Sequence, residues 1–149
     1  MKRGKDYIGV AVGTLILDEA GKLFITKRGQ GAGNDRGKWE IPGGAIEFGE
    51  SREAAATREI KEENDIDIDV VEALHTSDHL LPEEGQHWIT TTYICRYLGG
   101  EAKRMEPEKC EALGWFTIEE AKALDLSEIT KRDLEEFTTK YPAGYMFHV

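Results

Sequence analysis

The chain has 149 residues, 40% of them hydrophobic and 32% charged, with 19 Lys and Arg against 29 Asp and Glu for a formal net charge of −10. That balance excludes a disordered segment and suits one globular domain, residues 1–149, with a sizeable core. The acidity argues against a DNA or RNA polymer as partner, because phosphate neutralisation by Lys and Arg supplies most of that affinity, and no run is long and apolar enough to span a membrane.

Taken in chain order, Ile8 to Leu17 alternates with period two, placing Ile8, Val10, Val12, Thr14 and Ile16 on one face of a strand and Gly9, Ala11 and Gly13 on the other. The small face admits close approach by a packed helix, the favoured reading, or by a ligand ring. Asp18-Glu19-Ala20-Gly21 reads as a turn, and Lys22 to Arg28 as the returning strand. Gly29 to Gly37 is a polar, glycine-rich loop, but no Gly-Lys-Ser/Thr follows to make it a Walker phosphate loop. Trp39 to Ile41 is a short strand that stops at Pro42-Gly43-Gly44.

Ser51 is placed to cap a helix running to Glu63, with Ala54, Ala55 and Ala56 as strong helix formers and an end near Asn64-Asp65. Strand character returns over Ile66 to Val70, Val71 to Leu81 and Trp88 to Tyr97. A further short strand covers Ala112 to Phe116. Thr117-Ile118-Glu119-Glu120 is a capping-box pattern that opens a helix through about Leu124. A last helix runs from about Ser127 to Tyr141, with Ile129, Leu134 and Phe137 at helical spacing. This order predicts an α+β fold with a mixed sheet between helices.

The chemistry-bearing segment is the first helix. Glu59, Glu62 and Glu63 stand at i, i+3 and i+4 and project from one side. Three carboxylates so close repel one another unless a cation lies among them, and Mg²⁺ with its preference for oxygen ligands is the natural one. Taken alone, the pattern also fits an exposed Glu-rich face.

The flanking residues change that weighing. Gly44, five residues, Glu50, seven residues, Arg58-Glu59-Ile60, one residue, Glu62-Glu63, and Ile66 as the closing aliphatic resemble the Nudix box over residues 44–66. The approach Gly37-Lys38-Trp39-Glu40-Ile41-Pro42-Gly43-Gly44, the pair Lys27-Arg28 and the later Trp115-Phe116 resemble the same family. One position departs: Asp65 stands where the family has Gly. A helix exit there takes a left-handed conformation, which Asp tolerates better than most residues, so the site is expected to stay intact.

The resemblance implies an α/β/α sandwich with a mixed β-sheet, and a Mg²⁺-dependent hydrolase of phosphoanhydride bonds in which Mn²⁺ can substitute. It implies Glu62 and Glu63 as metal ligands, Glu59 as ligand or as the base that takes a proton from water, and the Gly43 carbonyl as a further ligand. Glu50 and Arg58 would brace the loop against the helix, and Arg28 and Gly44 would face the substrate. Phe48-Gly49-Glu50 and Glu106 to Glu111 resemble the MutT-like branch, which implies a nucleoside triphosphate cleaved to monophosphate and pyrophosphate, with Glu111 near the metals. The alternatives are an ADP-ribose or nucleoside-diphosphate-sugar pyrophosphatase and, in another class, a nucleotide-sensing module without catalysis.

Other features carry less. His75 and His79 have helical metal-ligand spacing but lie in strand-like sequence, so metal binding there is disfavoured. Trp88 reads as packing, with base stacking as the second reading. Cys95 and Cys110 form no Cys-x-x-Cys pair and fit a reducing, cytoplasmic compartment, and Met1 to Lys5 lacks the apolar stretch of a secretion signal. The tail Pro142 to Val149 is apolar and is expected to pack on a second copy in a homodimer.

Overall fold

The computed structural model describes residues 1–148. Its elements are β1 (Gly9–Leu17), β2 (Leu23–Arg28), β3 (Trp39–Glu40), β4 (Gly43–Ala45), α1 (Arg52–Asn64), β5 (Asp67–Leu81), β6 (Gln86–Gly99), β7 (Cys110–Phe116), α2 (Ile118–Lys122) and α3 (Glu128–Lys140). All seven strands belong to one sheet with the central order β3-β2-β1-β6-β5. β1 and β6 run parallel from the Gly9–Trp88 to the Leu17–Arg96 pairing, and the other pairings are antiparallel.

The sheet is mixed and lies between helices because each face buries its own apolar set. On one face Val12, Ile16, Phe24 and Tyr93 pack on Ala55, Ala56 and Ile60 of α1. On the other, Leu15, Leu17, Ile25 and Ile94 pack on Ala121, Leu134 and Phe137 of α2 and α3. This is the expected α/β/α sandwich.

Several local expectations are met by specific bonds. Asp18 Oδ1 accepts from the amides of Ala20 and Lys22 in the first turn. Ser51 Oγ accepts from the Ala54 amide at the start of α1, and Thr117 with Glu120 forms the reciprocal capping box of α2. Asp65 ends α1 in the left-handed region at φ 56°, ψ 37°.

Three expectations need correction. Gly43 and Gly44 do not merely stop a strand. They form β4, pairing with Gly13 and Val12, because a Cβ on Gly43 would run into the Val12 carbonyl and glycine alone allows the approach. Ile8 and Val10 are half exposed, whereas Leu15 and Leu17 on the supposedly small face are buried. That small face does not meet a helix along its length: the Trp88 indole covers Gly9, while Ala11 and Gly13 line a cavity whose opposite wall is Ile129, Thr130 and Asp133. The tail joins its own chain in part. Tyr145 and Phe147 pack half-buried on the α3-side core, extending an edge-to-face run from Tyr141, while Met146 between them stays exposed. Val149 lies outside the described residues. Among the described residues, no helix is long and apolar enough to cross a membrane.

Candidate active site

The site is assembled on α1 and on the loop that precedes it. Arg58 is the organising residue. Its Nε and Nη2 grip both oxygens of Glu50 at 2.6 and 2.9 Å, and Nη2 also donates to the Ala45 carbonyl at 3.2 Å. The fork ties the loop to the helix in bidentate geometry. The Arg58 hydrogen bonds, with the Glu47 amide adding to them, hold the Glu50 carboxyl down at about 2. On its other side Arg58 Nη1 reaches Glu59 at 2.9 Å and Glu62 at 3.2 Å.

Glu59 lies under β4: a Cβ on Gly44 would collide with its carboxyl carbon, so glycine there makes room for the acid. Glu63 stands one turn later and shares a cavity of about 290 Å³ with Glu59, Gly43, Gly44, Asn64 and Glu106. Burial, with Glu59, Glu40 and Glu106 adding negative charge, pushes the Glu63 carboxyl up to about 9. Glu62 is not brought into this group. Its side chain is 59% exposed and turns to Arg58, and among the described residues no three His, Cys, Asp or Glu side chains are arranged to hold an ion.

Arg28 lines the acid cavity and also the neighbouring one, of about 180 Å³, between the sheet and α3. It donates from Nη1 to both oxygens of Glu40, at 2.9 and 3.1 Å, and from Nε to the Asn34 carbonyl at 2.7 Å. Glu40 is pushed upward by burial against the opposing pull of Arg28. Arg28, Glu40, Gly43, Gly44 and Ala45 line both cavities and so form the wall they share. Beyond it lie Ala11, Gly13, Trp88 and Ile129, with His79, Asn34 and Asp133 at the edges.

Of the residues named from sequence, Arg28, Gly43, Gly44, Glu59 and Glu63 therefore meet at one place, braced by Glu50 and Arg58. Glu111 does not join them: on β7 it pairs with Lys27 at 2.9 Å and lines neither cavity. His75 and His79 turn to different acids, Asp133 at 2.6 Å and Asp35 at 3.3 Å, and share no site. Sequence reading missed Glu40, Asn64 and Asp133. Only Glu40 carried a signal, an acid set between Trp39 and Ile41.

The donor set suits a hard divalent cation. It is dominated by the carboxylates of Glu40, Glu59, Glu63 and Glu106 and by backbone oxygen, with Arg28, Lys109 and the Cys110 thiol also on the wall, the thiol donating to the Ala112 carbonyl.

The family model of the NUDIX domain matches residues 8–137. The chain belongs to the Nudix family. The crystal structure of a MutT NUDIX hydrolase from Burkholderia pseudomallei resembles this Nudix domain with a TM-score of 0.79 and 32% identity, over 87% of this chain and 98% of that one. An RNA pyrophosphohydrolase of Dinoroseobacter shibae is 32% identical over 143 residues, 84% of this chain and 85% of its own. An ADP-ribose pyrophosphatase of Methanocaldococcus jannaschii is 29% identical over 132 residues, 88% of this chain and 71% of that one. Against two longer relatives, from Caenorhabditis elegans and Arabidopsis thaliana, this Nudix chain spans only 23% and 37% of their lengths.

Proposed function

We propose that this Nudix domain is a Mg²⁺-dependent pyrophosphohydrolase that converts a nucleoside triphosphate to the monophosphate and pyrophosphate, with Mn²⁺ able to substitute. The observation that carries the proposal is the joining of two unlike cavities through one wall: an acid cavity at Glu59 and Glu63, and a less charged one floored by Ala11 and Gly13. The first suits a metal-bridged phosphate chain and the second a nucleoside. Glu59, Glu63 and the Gly43 carbonyl would hold the ion, and Glu62 would join them by leaving Arg58. When bound, the ion neutralises charge on the phosphate oxygens and lowers the pKa of water.

The chain's own residues supply position. Arg58 fixes Glu59 and the loop, and Arg28 stands on the wall shared by the two cavities, where phosphate would meet nucleoside. Glu59 serves as ligand or as base. Two free cysteines fit a reducing compartment, and we assign the enzyme to the cytoplasm as one catalytic domain acting on small nucleotides.

A second reading, cleavage of ADP-ribose or a nucleotide sugar, is favoured by the Methanocaldococcus jannaschii relative. A panel of nucleoside triphosphates, ADP-ribose, nucleotide sugars and a triphosphate-ended RNA oligomer, assayed with Mg²⁺ for pyrophosphate and phosphate, separates these. Pyrophosphate from free triphosphates is the expected result. Turnover confined to ADP-ribose or sugars would move the substrate assignment to the second reading, and turnover only of the RNA would overturn the small-substrate assignment. Nucleotide binding without turnover at any Mg²⁺ concentration would leave a sensing module.

A further inference from the structure

Asn64, the last residue of α1, is 2% exposed and lines the acid cavity beside Glu63. Its two side-chain ends are treated differently. Nδ2 donates to the Lys103 carbonyl at 3.1 Å, while the Asn64 backbone carbonyl accepts from the Lys103 amide at 2.9 Å and Glu63 accepts from Met105. Those bonds dock the segment that carries Glu106 across the end of the helix. Oδ1, in contrast, is buried with no hydrogen-bond partner.

A buried acceptor without a partner is unfavourable and is rare in folded proteins, where such atoms mark a bound water, an ion or a functional group. Docking the segment uses Nδ2 and the backbone and leaves Oδ1, the other half of the same amide, buried and without a partner. The cavity it lines holds Glu40, Glu59, Glu63 and Glu106, with Arg28 and Lys109 also on its wall, and a fifth carboxylate would add to the repulsion among the acids. An amide oxygen is a hard donor without charge, of the kind that serves Mg²⁺ and Ca²⁺ sites, and Mg²⁺ keeps several of its waters when bound.

We propose that Asn64 is a positioning residue of the metal site, its Oδ1 accepting a hydrogen bond from a water of the hydrated divalent cation held by Glu59 and Glu63. This rests on the metal-dependent reading of the cavity. The water donates, the amide oxygen accepts, and Asn64 touches neither phosphate nor the attacked phosphorus.

The test uses Mn²⁺ alone as probe on the full chain, with free ion counted by electron paramagnetic resonance and bound-ion hydration followed by water proton relaxation. Three variants are compared. Asn64→Leu keeps the branched shape and removes the oxygen, and is expected to bind Mn²⁺ about tenfold more weakly, the lower end for loss of an outer-sphere partner. Asn64→Asp keeps an oxygen and loses the Nδ2 donor, and is expected to bind at least as tightly as the parent. Glu63→Gln should bind more weakly than either. Parent-like affinity in Asn64→Leu would overturn the proposal, as would equal weakening in Asn64→Leu and Asn64→Asp, since that would assign the effect to the Nδ2 dock. If Glu63→Gln also binds like the parent, it is the metal reading of the cavity that fails. If only Asn64→Leu does, the metal reading stands and Asn64 has no part in it.

Discussion

Asp133 and Glu63 are both carboxylates inside the protein, and their surroundings treat them oppositely. Asp133 is 1% exposed, yet its Oδ1 accepts from His75 Nε2 at 2.6 Å and from Thr92 Oγ1 at 3.0 Å, so its charge is met from within. Glu63 is ringed by other acids and pushed up to about 9. A buried acid left without compensation is characteristic of functional sites rather than of structural pairs. The Asp133 pair gives a pH prediction. Its hydrogen bond raises His75 above 6.5, so the folded state favours the imidazolium. The stabilisation is full below pH 6.5 and fades as pH rises through the raised folded value. Urea midpoints of parent and His75→Gln from pH 5.5 to 9 should show the parent losing about 1 kcal/mol that the variant never had, a modest value because the histidine is only partly buried. Parallel curves would refute the pairing.

At the scale of the element, α1 shows how a motif survives one broken position. Ser51 starts it, Ala55, Ala56 and Ile60 fix its buried face, and Arg58 locks the preceding loop to it. Asp65 then exits at φ 56°, where glycine is the unstrained residue. Lys61 and Lys103 approach its carboxylate at 3.4 and 3.5 Å, exposed pairs that offset little of the strain. Asp65→Gly should therefore stabilise the protein by about 0.5 kcal/mol, whereas Asp65→Val, β-branched in the left-handed region, should cost more than about 1 kcal/mol. Equilibrium urea unfolding checks both, and a stabilising valine would contradict the strain account.

Across the whole molecule, what was legible in the sequence is what is local or periodic. The period of β1, the caps at Ser51 and Thr117 and the spacing of Glu59 and Glu63 are each contained within about a turn or a strand, so the chain displays them directly. The acid face followed from these, and the Arg58 brace and the sandwich from the Nudix resemblance carried by residues 44–66. What was not legible depends on contacts across tens of residues. Asn34 reaches Gln86, Thr92 reaches Asp133, and Asn64 reaches Lys103, and no local pattern announces such pairs. Glu62 and Glu111, which spacing and resemblance placed near the metal, turn here to Arg58 and Lys27. That Tyr145 and Phe147 of the tail join the α3-side core was likewise not legible, because that core is built from strands far earlier in the chain.

The central claim is that the acid cavity holds a divalent cation that makes phosphoanhydride cleavage possible. Pyrophosphate release from a nucleoside triphosphate, measured across a Mg²⁺ titration for the parent and Glu63→Gln side by side, tests it most directly. The parent should rise from no turnover in chelator to saturation. The variant, which keeps the shape and loses the charge, should fall by about 10²–10³-fold, the loss typical of removing one element that stabilises developing charge, with its thermal midpoint maintained. Equal turnover by the two proteins at saturating Mg²⁺, or turnover by the parent in chelator, would contradict the account.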